Sequence, residues 1–236
     1  MSRFALASAL VLSLFSSVAL ADVAYVPRGE APHFAQAPQD MPDPGIVAPE
    51  RTLDRDTVRA ALVRQRAANL ASFRAYQKAG VFPSNTFQDR KLNVWRDDAG
   101  HLCAAATIIN LSGQTALVNR VAEQSNFIKL GDVTSGPLMD WILTSGFTQA
   151  EIAMIQEPYM PVRIPQDDKR AIDKRLEPAR AIDARRRAAE TARLAKLYKE
   201  IDAKLVAEAK ASLELAVTRL MKKPVLAWQL VDAPAA

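Results

Sequence analysis

The chain has 236 residues, of which 49% are hydrophobic, and its 31 basic side chains exceed the 26 acidic ones by five. That excess is modest, so it permits an anionic partner without requiring one. A single cysteine excludes an internal disulfide, so stability must come from an apolar core. Two histidines and one cysteine argue against a structural zinc site, and no glycine-rich phosphate motif occurs. We therefore predict no metal and no cofactor.

Residues 1–21 have the pattern of a secretory signal peptide. Arg3 precedes an apolar stretch over 4–14, and small residues at positions 19 and 21 mark a cleavage site. We expect cleavage after Ala21 and a soluble mature protein that is periplasmic or secreted. No later stretch reaches the roughly 18 apolar residues that a membrane span needs, so we predict no transmembrane segment in the mature chain.

Residues 22–51 are rich in proline, with six prolines at irregular spacing. Proline lacks a backbone N–H and interrupts both helices and strand ladders. This composition predicts a flexible, extended linker. An arm that packs on the surface of the folded part is the alternative.

Residues 52–165 are predicted to form the core domain, and its first element is a long helix. Asp54 or Asp56 can cap it, apolar residues follow at steps of three and four, and Gly80 supplies the stop. Three short helices are predicted further along. They lie over 113–126, from Pro137 to Gly146, and after Thr148, which forms a capping box with Glu151. Trp141 is predicted to be a core residue.

A β-hairpin is predicted over about 91–109, where two apolar runs flank the turn sequence DDAG. In this register Arg96 lies opposite His101. The second run is apolar on both faces, which is typical of an interior strand. Further strands are predicted at 127–133 and at 226–230. The fold class predicted is α+β, with a small antiparallel sheet centred on the hairpin, covered by short helices and followed by a long basic amphipathic C-terminal helix.

The hairpin would place three chemically active side chains on one face of the sheet: Arg96, His101 and Cys103. A cysteine beside histidine and arginine can have a lowered pKa and act as a nucleophile. The alternative is a small buried hydrophobe beside a turn histidine, because we expect no helix N-terminus to point at the thiol. A redox or intermolecular disulfide role stays open. Pairs of carboxylates drawn from Asp97, Asp98, Asp132 and Asp140 are a further candidate for catalysis.

Residues 166–223 are predicted to be a basic helical extension. From Asp167 to Lys223 there are sixteen Lys and Arg against ten Asp and Glu, and Pro178 is expected to divide a short helix from a long one. The candidate partner-binding residues are Arg180, Arg185, Arg186, Arg187 and Arg193. An apolar stripe with an eleven-residue period begins at Leu194, which predicts a nearly straight helix. A helix of some 45 residues would be about 65 Å long, so part of it should project or bind something.

These patterns favour an exported, non-enzymatic binding or scaffold protein that acts through its long basic helix. Its partner would be an anionic envelope component or a protein, and a homodimer through the apolar stripe is a further possibility. The arginines have no interleaved aromatic residues, which argues against nucleic acid. The alternative is a secreted hydrolase that uses His101 with Cys103, or a carboxylate pair, in a cleft beside the hairpin. Residues 224–236 would form a terminal strand and a frayed tail.

Overall fold

Within residues 52–162 and 177–233, which are those that the computed structural model describes, the chain forms helices and no strand. The α-helices are α1 Arg55–Ala79, α2 Ala104–Leu111, α3 Thr115–Gln124, α4 Pro137–Thr144, α5 Gln149–Ile155, α6 Glu177–Ala207, α7 Ala209–Leu220 and α8 Pro224–Asp232. A 3₁₀ turn at Leu130–Asp132 lies between α3 and α4. The predicted signal peptide and the whole of the predicted proline-rich linker lie outside the described residues.

The predicted α+β fold with an antiparallel sheet is wrong. Strand pairing in the described part of the chain is limited to isolated bridges, which join Asn85 to Pro161, Leu92 to Tyr159, and Arg96 to Leu102. The turn of the predicted hairpin is present, since Asp97 N donates to His101 O at 3.0 Å. Its register differs by one residue, because Arg96 lies opposite Leu102 rather than His101.

The second strand of that hairpin is instead the helix α2. Its residues Ala104, Ala105, Ala106, Ile108 and Ile109 are all 0% exposed. A short helix that is buried over most of its circumference has the same nearly continuous apolar pattern as an interior strand, so periodicity cannot separate the two. Three consecutive alanines, the strongest helix formers, favour the helix.

The other two predicted strands are also wrong. Residues 127–133 contain the 3₁₀ turn, where the Gln149 side chain donates to the carbonyls of Leu130, Gly131 and Val133. Residues 226–230 lie in α8, which has Pro224 in its first turn. Leu226 and Leu230 are four residues apart, a spacing that places them on one face in a helix as well as in a strand.

The predicted helix boundaries in the core are confirmed. Asp54 caps α1 by accepting from Thr57 N, and Gly80 ends it with a left-handed backbone, φ 64°. Pro137 begins α4. Thr148 and Glu151 form the predicted capping box of α5. Trp141 is 9% exposed, as predicted for a core residue.

The main core surrounds α2 and contains a row of three tyrosines. The Tyr159 hydroxyl lies 3.4 Å from that of Tyr76 and 3.3 Å from that of Tyr198. Burial raises the pKa of all three phenols. A second apolar cluster joins the start of α1 to α7 and α8, through residues that include Leu62, Val217 and Leu230.

A buried ion pair and the hydrogen bonds of its arginine join α1, α5 and α6. Arg66 of α1 contacts Glu151 of α5 at 2.7 Å, and it also donates to the carbonyl of Leu205 near the end of α6 at 2.7 Å. The last carbonyls of a helix have no partner within the helix, so Arg66 satisfies one of them. Gly146 lies against α1 beside this pair, because a Cβ there would be 2.4 Å from Leu62 O.

The predicted long C-terminal helix is two helices. α6 has 31 residues, Glu208 interrupts it, and α7 adds 12 residues. The apolar stripe packs within the chain, since Leu194, Tyr198, Ile201, Leu205, Ala216 and Leu220 are all 4% exposed or less. A homodimer through this stripe would have to displace those contacts.

Candidate functional site

Cys103 is a buried helix cap. It precedes α2, it is 0% exposed, and its Sγ accepts a hydrogen bond from Ala106 N at 3.4 Å. Burial raises the pKa of the thiol to about 12, which outweighs the opposing effect of the backbone N–H groups of α2. The expectation that no helix N-terminus points at the thiol is therefore wrong, yet the thiol still lacks the conditions that make a cysteine reactive.

His101 and Arg96 do not join Cys103 in one site. His101 Nδ1 lies 3.1 Å from Oδ2 of Asp97, and its side chain is 44% exposed. Arg96 Nη1 instead donates to Oδ1 of Asn119 at 3.2 Å. The sequence identified three residues of suitable chemistry, but the observed register places Arg96 opposite Leu102, His101 contacts Asp97, and Cys103 is buried.

The four candidate carboxylates also have separate positions. Asp97 accepts hydrogen bonds from the backbone N–H groups of Ser84, Ala99 and His101, so it organises the turn. Asp98 accepts from the Thr86 hydroxyl. Asp132 and Asp140 are exposed. Among the described residues no group of three His, Cys, Asp or Glu side chains could hold a metal ion.

The most distinctive charged surface is the start of α6, at residues 180–189, which we call the exposed segment. Every side chain in it is exposed except that of Asp183, which is half-buried. Four arginines and one aspartate give the exposed segment a formal charge of +3. Ile182, 44% exposed, is its only large apolar side chain. The exposed segment therefore presents nearly all of its side chains to solvent.

Three consecutive arginines in the exposed segment make few contacts. Arg185 Nε donates to Ala181 O at 3.2 Å, and Arg186 lies 3.9 Å from Asp183. Arg187 has no ion pair or side-chain hydrogen bond to any described residue.

Arg193, the fifth predicted arginine, has a different role. Its guanidinium contacts Glu190 and Glu157, each at 2.8 Å, and donates to Pro158 O at 3.1 Å. The hydrogen bonds with Glu190 and Glu157 raise the pKa of Arg193. Glu190 in turn accepts from Met160 N at 3.0 Å. Arg193 therefore fastens α6 to the loop at 157–160, which the sequence did not predict.

A cavity of about 540 Å³ lies between this anchor and the exposed segment. Its lining contains Arg186 and Arg193 together with Asp89 and Glu190, and its apolar part is formed by Met160, Pro161 and Ala189. The cavity has charges of both signs, so it continues the arginine surface without being uniformly basic.

No helix among the described residues is both long enough and apolar enough to cross a membrane. Comparison with family models, with curated proteins and with solved structures found no match. The functional argument therefore rests on the geometry of this chain.

Proposed function

We propose that this chain is an exported, non-enzymatic binding protein whose exposed segment engages an anionic partner. The observation that carries the proposal is the row Arg185–Arg187, held on turns of α6 in which every side chain except that of Asp183 is exposed. Export rests on the signal-peptide pattern of residues 1–21.

The charge balance of the exposed segment supports a role in binding. Its four arginines are accompanied by a single acid, Asp183, so most of its positive charge is not neutralised within the segment. An anionic partner would neutralise that charge and would be held by the charge-assisted hydrogen bonds that guanidinium groups form with carboxylates and phosphates.

The placement of the arginines favours a flexible polymer over a flat surface. Successive residues of a helix are about 100° apart, so Arg185, Arg186 and Arg187 spread over roughly 200° of its circumference. A bilayer could contact only part of that arc. Amphipathic helices that lie on membranes also present an apolar face, and here only Ile182 is available. A polyanionic chain can follow the helix surface and reach all three guanidinium groups.

The test is binding of the full mature chain to polyphosphate across a salt series, with vesicles of phosphatidylglycerol as a second arm. Affinity should fall as salt rises, because the Debye length is about 8 Å at physiological ionic strength. Replacing Arg185, Arg186 and Arg187 by Gln should weaken binding about tenfold or more, which corresponds to about 1.4 kcal/mol. The melting temperature should barely move, since exposed charges contribute little to stability.

The matched control replaces three exposed lysines outside the exposed segment, Lys199, Lys210 and Lys222, by Gln. It changes the net charge equally, so an effect of overall charge would appear in both variants. A wild-type chain that ignores polyphosphate, or an arginine variant no weaker than the lysine control, would refute the proposal. Tighter binding to vesicles than to polyphosphate would instead identify a membrane partner, and sedimentation would report any change in mass.

A further inference from the structure

A second cavity lies on a different part of the chain, where α1, α4, α8 and the start of α3 meet. Its volume is about 320 Å³, within the range usual for sites that bind small molecules. None of the residues that line it carries a charge, although charged residues make up 24% of the chain. We call it the glutamine cavity, because Gln65, Gln114 and Gln229 line it together.

The three glutamines converge from three elements and have unused hydrogen-bonding groups. Gln65 belongs to α1, Gln229 belongs to α8, and Gln114 precedes α3. None of these side-chain amides has a hydrogen-bond partner among the described residues. Each amide offers two donors and an acceptor without charge, so the cavity presents both kinds of group from several directions.

The apolar part of the glutamine cavity includes Trp141, Leu226 and Leu230. The indole is held in position, because Trp141 Nε1 donates to the Ser112 hydroxyl at 2.9 Å. That hydroxyl donates in turn to Ile109 O at 2.7 Å. The aromatic wall is thus fixed before any ligand arrives, which lowers the entropic cost of binding.

The composition of the lining excludes two classes of ligand. A charged ligand would leave water without an opposite charge to compensate it. An apolar ligand would cover the amides without satisfying them, which costs free energy for each group left without a partner. An uncharged ligand avoids the first cost, and one that carries both hydrogen-bond donors and acceptors avoids the second. Such a ligand also needs an apolar face to pack against Trp141.

We propose that the glutamine cavity binds a neutral saccharide. Its hydroxyl groups both donate and accept, as the amides of Gln65, Gln114 and Gln229 do, and the C–H face of a sugar ring suits the wall formed by Trp141. An extended peptide is less suitable, because the cavity is a compact space among four elements. The proposal is independent of the anion-binding role of the exposed segment, which involves other residues.

The test is titration of the full mature chain with glucose, with N-acetylglucosamine and with the β-1,4-linked dimer of each, observed by amide and indole NMR shifts. At least one sugar should shift the Trp141 indole resonance and saturate below about 10 mM, or about −2.7 kcal/mol. Gln65→Ala and Gln229→Ala should each weaken that binding several-fold. Gln88→Ala is the control, because Gln88 is a half-buried amide outside this cavity, where its Oε1 accepts from Arg90 Nε.

Three results would overturn the proposal. The first is a lack of saturable shifts with all four sugars. The second is binding that Gln65→Ala and Gln229→Ala leave unchanged, or that Gln88→Ala weakens equally. The third is tighter binding of an uncharged peptide, N-acetyl-trialanine amide, than of every sugar. Tighter binding of the β-1,4-linked dimers than of the monosaccharides would identify the ligand as a unit of a longer glycan and not a free sugar.

Discussion

Arg66 and Glu151 face each other inside the fold, with Nη2 of the arginine 2.7 Å from Oε1 of the glutamate and side chains that are only 6% and 4% exposed. Arg66 also donates to the carbonyls of Gly146 and Leu205. A charge pair buried in this way stabilises a structure only while both partners are present, because a single charge left behind has lost its hydration without compensation.

We predict that Arg66→Met and Glu151→Gln will each lower the free energy of unfolding, with Arg66→Met costing about 3–5 kcal/mol. The double variant should lose less than the sum of the two, since neither charge then remains buried alone. Urea unfolding measures all three values. Lys196→Met, which disrupts an exposed pair with Glu200, is the control and should cost less than about 1 kcal/mol. Additive losses at positions 66 and 151 would contradict the coupling.

Acid should weaken the fold partly through the same carboxylate. Burial opposes ionisation of Glu151, but hydrogen bonds from Arg66 and Thr148 N outweigh it, so the pKa of the carboxyl lies below its ordinary value of 4.5. A group whose pKa is lower in the folded state stabilises the fold above the unfolded value, and that stability is lost as the pH falls through the folded value. The difference in unfolding free energy between wild type and Glu151→Gln should therefore be constant above about pH 5.5 and shrink below 4.5. A difference that stays constant to pH 3 would refute this assignment.

Gly146→Ala should be strongly destabilising. Gly146 has φ 78°, and a Cβ there would lie 2.4 Å from Leu62 O and 2.7 Å from Arg66 N, so the chain between α4 and α5 would have to move away from α1. We expect a loss of about 3 kcal/mol or more. The control is Gly113→Ala, which has φ 86° but no atom within 4 Å of the added carbon and should cost only about 1–2 kcal/mol. Equal losses in thermal unfolding would show that backbone conformation, and not close packing, decides the effect at Gly146.

The thiol of Cys103 should be unreactive in the folded chain. Burial raises its pKa to about 12 and leaves it 0% exposed, so at neutral pH it is protonated and inaccessible. An aromatic disulfide reagent should label it slowly in buffer and rapidly in urea, with the native rate following the opening of the fold. Rapid native labelling that His101→Ala slows would restore the nucleophile hypothesis.

The parts of the fold that could be predicted were those with local chemical signals. Asp54, Pro137 and the pair Thr148 and Glu151 begin helices through hydrogen bonds or backbone geometry that involve only their immediate neighbours. Three of the four predicted strands were wrong because their apolar residues have spacings that a helix or turn can share with a strand. Five of the eight residues of Ala104–Leu111 are buried, so its environment and not its periodicity determines the helix.

The candidate site could also be predicted only in part. The arginines at 180–187 could be identified from sequence, because their number and spacing are visible there. The anchoring role of Arg193 could not, since it depends on Glu157, which lies 36 residues away in the chain. The glutamine cavity was missed for a similar reason. Gln65, Gln114 and Gln229 are separated along the chain, and an uncharged amide carries no sequence signal of its own.

The helix α6 begins in solvent and ends in the core, and this predicts a gradient of amide exchange along a single element. Amides from Leu194 to Leu205 lie beside buried side chains and should exchange only when the fold opens. Those of the exposed segment have no such neighbours and should exchange by fraying of the first turns. A partner bound to the exposed segment would slow amide exchange at the residues that exchange fastest in the free chain. Deuterium uptake at 180–189 would therefore report binding without a fluorescent or covalent label.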